Sequence, residues 1–440
     1  MTFCTSKKLQ QLRLNNKHLE LNFNGGNISS DGGLLNIALL DKKLRLTSDI
    51  GKELLKYDKR QKNKVQHKVT DMLRQRVYGI VAGNEDLNDH DNFRKDELLK
   101  SLLGKNKDLA GSSTLCRYEN SATRYACVAM SRIIVEKFIK NHKTPPKKLI
   151  LDFDATDDEV HGHQEGNFFH GYYDHYCFLP LYVFCGKELL VSYLRPSNVD
   201  GAKHSWAILS LLVKRFRQEW PGVKIIFRGD SGFCRNQMLT WCEKNNVHYI
   251  VGISSNERLK KISDRISIKS RKKYNRTGRK SKLYATLYYA ALKWKCSKRK
   301  VIVKAEHSEK GCNKRFVITN ISGKAKELYE NLYCIRGDME NRIKEQKLDL
   351  FSDRTSCHGW WANQFRVLLA SIAYVLLERL RELALKKTIL ENAQVSTIRN
   401  KLIKVGALIH SNTRRIYIRL SSSYPNKKVF CDVFDKVLLL

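Results

Sequence analysis

The feature that most constrains this chain is an ordered alternation in its middle third. The tract His142-Lys143-Thr144-Pro145-Pro146-Lys147-Lys148 cannot continue a helix, because its two prolines lack donors and restrict their neighbours. Directly after it, KKLILDFDATDD is a short apolar run ending in acids, which predicts a buried strand over about 148–154. FFHGYYDHYCFLPLYVF and KELLVSYLRPS, rich in aromatic and β-branched residues and split near Gly186, predict two more strands. SWAILSLLVKRFRQEW (205–220) has apolar residues at helical spacing. VKIIFRGDSGF (223–233) is a strand running into a glycine-bounded turn, CRNQMLTWCEKNN a second helix, and VHYIVGIS another strand.

The order is therefore strand-strand-strand, helix, strand, helix, strand. That is the order of a ribonuclease-H-like α/β core, in which the first and fourth strands are neighbours in the sheet. Residues 62–140 read mostly as helices, broken by polar turns such as Gly83-Asn84 and Asn88-Asp89-His90-Asp91. Within them GSSTLCRYEN (111–120) has Ser and Thr placed to cap a helix carrying Arg117, either a helix-turn-helix fragment or an ordinary capped basic helix. From 256 the chain is intensely basic, KSRKKYNRTGRKSK and then KWKCSKRK, and YATLYYAAL, RKVIVKAEH and RFVITNI read as strands. From 337 the pattern turns helical, with Phe365, Leu368, Leu369, Ile372, Leu376, Leu380 and Leu383 on one stripe of a buried helix. Arg414-Arg415-Ile416-Tyr417-Ile418-Arg419-Leu420 alternates as a strand does, with Arg415 and Arg419 on one face. The expected organisation is a mostly helical N-terminal region for DNA binding or dimerisation (1–145), a first core part (146–255), a basic β-rich insertion (256–332), and a second core part with the C-terminal region (333–440).

Charge narrows the partner. Lys+Arg 81 against Asp+Glu 44 gives a formal charge of +37 in 440 residues. Such an excess repels itself unless a polyanion is near, and a nucleic-acid backbone is the obvious one. A Lys-rich composition inherited from an AT-rich genome explains the lysines but not the shortage of acids. A nucleic-acid packing protein would show the same balance, so charge does not settle the activity. No apolar run approaches the roughly 20 residues that span a bilayer, and MTFCTSKKLQQLRLNNKHLE has no apolar stretch that could be a signal sequence. The expected setting is cytoplasmic, nucleoid-associated when bound to DNA. Twelve scattered cysteines with no C-x-x-C pair read as reduced structural thiols.

Two-metal phosphodiester chemistry needs carboxylates, because Mg²⁺ prefers hard oxygen ligands. Two ions roughly 3.5–4 Å apart then activate the nucleophile and stabilise the leaving oxygen. Asp152 and Asp154 share a face of the first strand, since side chains two apart point the same way. Asp157 and Asp158 follow in the turn. Asp230 comes directly after the fourth strand, between Gly229 and Gly232. Adjacent strands would bring these acids together; each alone could merely cap a turn. A third carboxylate should come from a later helix. On a helix, Arg336, Glu340 and Lys347 lie within roughly 40° of one another at about 100° per residue. A surface salt-bridge face gives the same pattern.

The string Tyr333-x2-Arg336-x3-Glu340-x6-Lys347 resembles the Y-R-E-K signature of insertion-sequence transposases with a DDE triad. Together with LDFDATDDEVHGHQEG, FRGDSGF and ENRIKEQKLDLFSDRTS, it resembles the bacterial insertion-sequence family numbered thirteen-eighty, over nearly the whole chain through TIRNKLIKVGALIH. The resemblance places the family's D-x-T on Asp154-Ala155-Thr156, its second aspartate on Asp230 and its glutamate on Glu340. It implies two Mg²⁺ ions per active site, with Mn²⁺ as a substitute, held by those three residues. It implies Tyr333, Arg336, Lys344 and Lys347 on DNA, with the inserted domain accommodated by the spacing of 110 from Asp230 to Glu340. It further implies cut-and-paste transposition: hydrolysis at inverted-repeat ends, a hairpin at the cut ends, and strand transfer into target duplex by a homodimer. A Trp that stabilises a flipped base in related enzymes would correspond to Trp360 or Trp361, which core packing explains equally.

His161 and His163 lack cysteines at finger spacing, so zinc is not expected there; His161 and Gln164 fall in the turn after Asp154. Two other readings remain open on sequence: a domesticated, non-catalytic DNA-binding relative, and a nuclease of the same fold that cuts without joining.

Overall fold

The computed structural model describes residues 13–19, 21–291, 294 and 298–440. The opening residues 1–12 and half of the basic run KWKCSKRK lie outside the described residues. By internal contact the chain divides into two compact units. One comprises Met1–Gly51, Asp58–Tyr118 and Arg379–Leu440, the other Lys52–Tyr57 and Glu119–Glu378.

The second unit is built on one mixed sheet of eight strands. In chain order they are β1 (Lys148–Ala155), β2 (Leu181–Cys185), β3 (Glu188–Tyr193), β4 (Lys224–Gly229), β5 (His248–Ile253), β6 (Ser281–Tyr289), β7 (Arg299–Ser308) and β8 (Gly311–Thr319). Helix α1 (Ser205–Glu219) connects β3 to β4, and α2 (Asn236–Lys244) connects β4 to β5. Across the sheet the order is β6-β7-β8-β5-β4-β1-β2-β3, with β4 parallel to both β1 and β5. The first and fourth strands are thus adjacent. β8 pairs antiparallel with β5, so the strands of the basic segment extend this same sheet.

Period-two alternation assigns the two faces. Leu149, Leu151 and Phe153 of β1 pack with Ile225 and Phe227 of β4, and with Leu209, Phe216 and Leu239 of α1 and α2. The opposite face carries Ile150, Ile226 and Ile250, covered by Leu328, Tyr329, Leu332 and Tyr333. Asp152, Asp154 and Arg228 fall on that second face, beneath the chain that leads to Glu340.

Three departures from the sequence expectations have local causes. The aromatic run after Asn167 is not one strand. It breaks into Phe168–His170, His175–Phe178 and β2, because Asp174 turns with φ 60° and Pro180 ends the second piece. The basic run contains a helix, α3 (Asp264–Thr277), which ends on Gly278 in the left-handed conformation. The segment from Leu328 to Asp349 is not a uniform helix. It passes from a π turn through a 3-10 turn into α4 (Gly337–Lys344) and then another π turn.

Helix α5 (Trp360–Leu380) is buried on nearly all sides, as its sequence predicts. Its polar groups serve β3: Gln364 accepts from Leu194 N at 2.7 Å and donates to Ser192 O at 3.1 Å. In the first unit, helices Leu34–Leu44 and Val69–Ala82 surround a buried Asp41, which accepts from Thr47 N at 2.9 Å and Tyr78 Oη at 2.7 Å. Residues Ala407–Ser411 and Ile416–Leu420 form a small sheet with Ile28–Ser29. Among the described residues no helix is long and apolar enough to cross a membrane, and ten cysteines are described. Four of these, Cys116, Cys312, Cys334 and Cys431, are exposed, so not every thiol is a core group.

Candidate active site

The register between β1 and β4 sets the site. Arg228 stands opposite Asp152 and Gly229 opposite Phe153. Carrying the register one step further puts Asp230 level with Asp154, just past the end of β4. Asp230 caps the short turn that follows, accepting from Gly232 N at 2.9 Å.

Asp152 is the structural member of the group. It is buried and forms a two-point ion pair with Arg228, whose Nη2 reaches Asp152 Oδ2 at 2.7 Å. Burial raises its pKa, and the Arg228 hydrogen bond opposes the rise. Arg228 also donates to the Leu332 carbonyl, tying the segment before Tyr333 to the sheet.

Asp154 and Glu340 pair with one guanidinium, and the Asp230 charge is near enough to act on both that guanidinium and Asp154. Arg336 Nη2 lies 2.8 Å from Asp154 Oδ1, and Arg336 Nη1 lies 3.4 Å from Glu340 Oε1. Burial, with the Asp230 and Glu340 charges also contributing, pushes the Asp154 carboxyl up to about 6, against the pull of Arg336. Among the described residues no three His, Cys, Asp or Glu side chains are gathered closely enough to cage an ion. Arg336 holds Asp154 and Glu340, while Asp230 accepts from Gly232 N. Their chemistry nevertheless suits a hard divalent cation: carboxylate oxygens only, two of the acids at strand ends and one on α4, with burial and then like charge raising one pKa. Occupation by metal would require Arg336 to leave Asp154.

Tyr333 lies over the same strand ends. A Cβ on Gly252 would stand 2.7 Å from Tyr333 Oη and 2.9 Å from Ser231 N, so only glycine lets the tyrosine approach there. Burial raises the Tyr333 pKa, Arg336 opposes the rise, and Asp230 adds to it.

A groove of about 340 Å³ opens beside Asp154. Its walls include Thr156, Glu340, Ile343, Lys344, Lys347 and Leu348. Lys344 is exposed on that wall. Lys347 is already engaged: it donates to the Asp157 carbonyl and lies 3.6 Å from Asp157 Oδ1 and 3.9 Å from Asp158 Oδ1. Asp158 is fully buried, its carboxyl pushed well up by that burial. Burial works against ionisation of Asp157 too, but Lys347 and then His175, at 3.0 Å, hold it low. The structure thus brings Asp154, Asp230, Glu340, Tyr333 and Arg336 together and turns Lys347 toward the Asp157–Asp158 turn.

Across residues 11–440 the chain matches the family model described as transposase DDE domain, group 1. The chain belongs to that family. DDE transposases generally use divalent metal ions, which agrees with the all-oxygen donor set above. Among curated proteins nothing matches this transposase-family chain. One solved structure, the "Cryo-EM structure of piggyBac transposase synaptic complex with hairpin DNA", is a weak likeness. It has 12% identity and a TM-score of 0.43, covering 84% of this chain and 79% of that one.

Of the other sequence candidates in this transposase-family chain, His161 is exposed and near Glu159 at 3.8 Å. Gln164 donates to the Thr355 carbonyl at 3.4 Å. Trp360 packs edge-on against Phe178, its ring against Gly166. The Asp152–Arg228 pair and the Asp157–Asp158 seat for Lys347 escaped sequence reasoning. The only signal was a basic residue directly before the Gly-Asp of FRGDSGF and a run of four acids in 152–158.

Proposed function

We propose that this chain is an active DNA transposase with a ribonuclease-H-like core whose triad is Asp154, Asp230 and Glu340. The observation that carries the reading is the pairing of Asp154 and Glu340 with the Arg336 guanidinium, beside Asp230 at the end of the adjacent parallel strand. Two divalent cations, Mg²⁺ or in its place Mn²⁺, would supply an activated water and stabilise the leaving oxygen when bound there. Asp154 and Asp230 are fixed by the sheet, and Glu340 by α4, so the donor oxygens start near their working positions. Arg336 is the counter-cation of the resting site. In the working complex it turns to the DNA phosphates, with Tyr333, Lys344 and Lys347 along the groove.

The substrate would be duplex DNA at the element's inverted-repeat ends, joined afterwards to a target duplex by a dimer, through a cut-and-paste route. The N-terminal region 1–145 would recognise the ends, and 256–332 is the insertion within the core. The affiliation with insertion sequences numbered thirteen-eighty, and a cytoplasmic, nucleoid-bound setting, belong to this reading. The test is a plasmid carrying the coding sequence with its native flanks, incubated with purified protein and Mg²⁺. Excision with joined products is expected. Cutting without joining would favour a nuclease, and binding without cutting a domesticated DNA-binding protein.

A further inference from the structure

Helix α3 carries a charge pattern that the active site does not use. Between Glu257 and Lys282 there are twelve Lys and Arg against two acids. Both acids are spent locally, Glu257 on Lys260 at 2.7 Å and Asp264 on Lys314 at 2.6 Å. At about 100° per residue, Arg265, Lys269, Lys272, Lys273 and Arg276 fall within an arc of about 100° on one side of the helix. All five are exposed, and among the described residues none forms an ion pair.

The opposite side of α3 is fastened to the sheet. Ser270 is buried, its Oγ 3.3 Å from Ala305 O and 3.2 Å from Ser281 Oγ. The Tyr274 ring lies 5.1 Å from that of His307. The basic face is therefore held in one orientation on a rigid element. Like charges four apart, Arg265 with Lys269, Lys269 with Lys273 and Lys272 with Arg276, each cost a helix about 0.2–0.5 kcal/mol. The apolar side does not need them. A polyanion would turn that repulsion into attraction.

We propose that this face of α3 is a sequence-independent duplex-DNA track, separate from the catalytic groove, that grips backbone phosphates. Fourteen residues at 1.5 Å each make the helix about 21 Å long, enough to follow several phosphates. Five cations on one arc, beside a lone exposed Ile268 rather than an apolar face, fit a nucleic-acid backbone better than a lipid surface. The proposal rests on the reading of the chain as a DNA-acting enzyme but needs no cleavage.

The test is equilibrium binding of full-length protein to an arbitrary-sequence duplex without metal, across a salt series. The helix variant combines R265Q, K269Q, K272Q, K273Q and R276Q. The comparison variant neutralises five exposed lysines elsewhere in the same unit, Lys140, Lys187, Lys203, Lys214 and Lys244. All ten sites are exposed, and circular dichroism checks that both variants fold. Each phosphate contact contributes about 0.9 to the slope of log affinity against log salt. The helix variant should lose up to about 4 of that slope, while the comparison variant loses much less. Equal losses would mean bulk charge alone and overturn the proposal. So would an unchanged slope in the helix variant, or a loss confined to phosphatidylserine vesicles. If wild type cuts DNA while the helix variant binds like wild type, only the track falls. If wild type binds no DNA at all, the transposase reading falls as well.

Discussion

Asp154 and Glu340 differ in what surrounds them, and the difference is measurable. Glu340 is more than half exposed, its side chain 58% accessible, and it pairs with Arg336. Glu340→Gln keeps shape and leaves the fold intact, so DNA binding should stay within about twofold of wild type while cleavage is lost. Gel-shift and cleavage assays on the same DNA separate the two; retained cleavage would remove Glu340 from the triad. Asp154 is mostly buried, and burial raises its pKa from 3.8 to about 6 in the folded chain. As pH rises, the unfolded chain ionises first, so stability falls between those two values and stays low above them. Asp154→Asn carries no charge. Without divalent metal it should match wild type below pH 3.8 and exceed it by roughly 1–3 kcal/mol above pH 6, read by denaturant unfolding. A variant less stable than wild type at neutral pH would contradict the raised pKa.

At the scale of elements, β1 and β4 are joined by more than their ladder. The Asp152–Arg228 pair sits two register steps before Asp154 and Asp230, and Arg228 also holds the Leu332 carbonyl. Arg228→Met would leave a buried carboxylate and a carbonyl without their donor. It should destabilise the chain by about 3–5 kcal/mol, seen as a lower urea midpoint. A loss under about 1 kcal/mol would mean the pair is dispensable. The strands that carry the acids were legible because short apolar runs ending in Asp or Gly-Asp have few other solutions. The adjacency of first and fourth strands followed from element order. Other parts were hidden for physical reasons. The turn at Tyr172–Asp174 depends on one Asp in the left-handed region, which its aromatic neighbours mask. In α3 Ile266, Ser267, Ser270 and Tyr274 mark the packed side, too thin an apolar stripe to stand out among lysines. The regular-helix projection put Lys347 on the Glu340 side, and both line the groove, but it could not show that the Lys347 ammonium is taken by Asp157 and Asp158.

For the whole molecule, a formal charge of +37 spread over both sheet and helices makes phosphate contact the main source of affinity in any DNA complex. Duplex affinity should fall by about a thousandfold or more between roughly 50 mM and 200 mM salt, as for proteins making about six to ten phosphate contacts. A nearly flat salt dependence would mean the charge serves something other than DNA. Binding, however, does not distinguish a transposase from a protein that only kept the family's fold. That rests on whether the three acids hold metal. Manganese binding followed by electron paramagnetic resonance decides it, using metal-depleted protein, wild type against Asp154→Asn, Asp230→Asn and Glu340→Gln. Glu159→Gln, an exposed neighbour, serves as the comparison. Saturable binding is predicted in wild type and Glu159→Gln, weakened about tenfold or more in each of the three. Binding that is absent from wild type, or unchanged when any one of the three is replaced, would contradict the assignment.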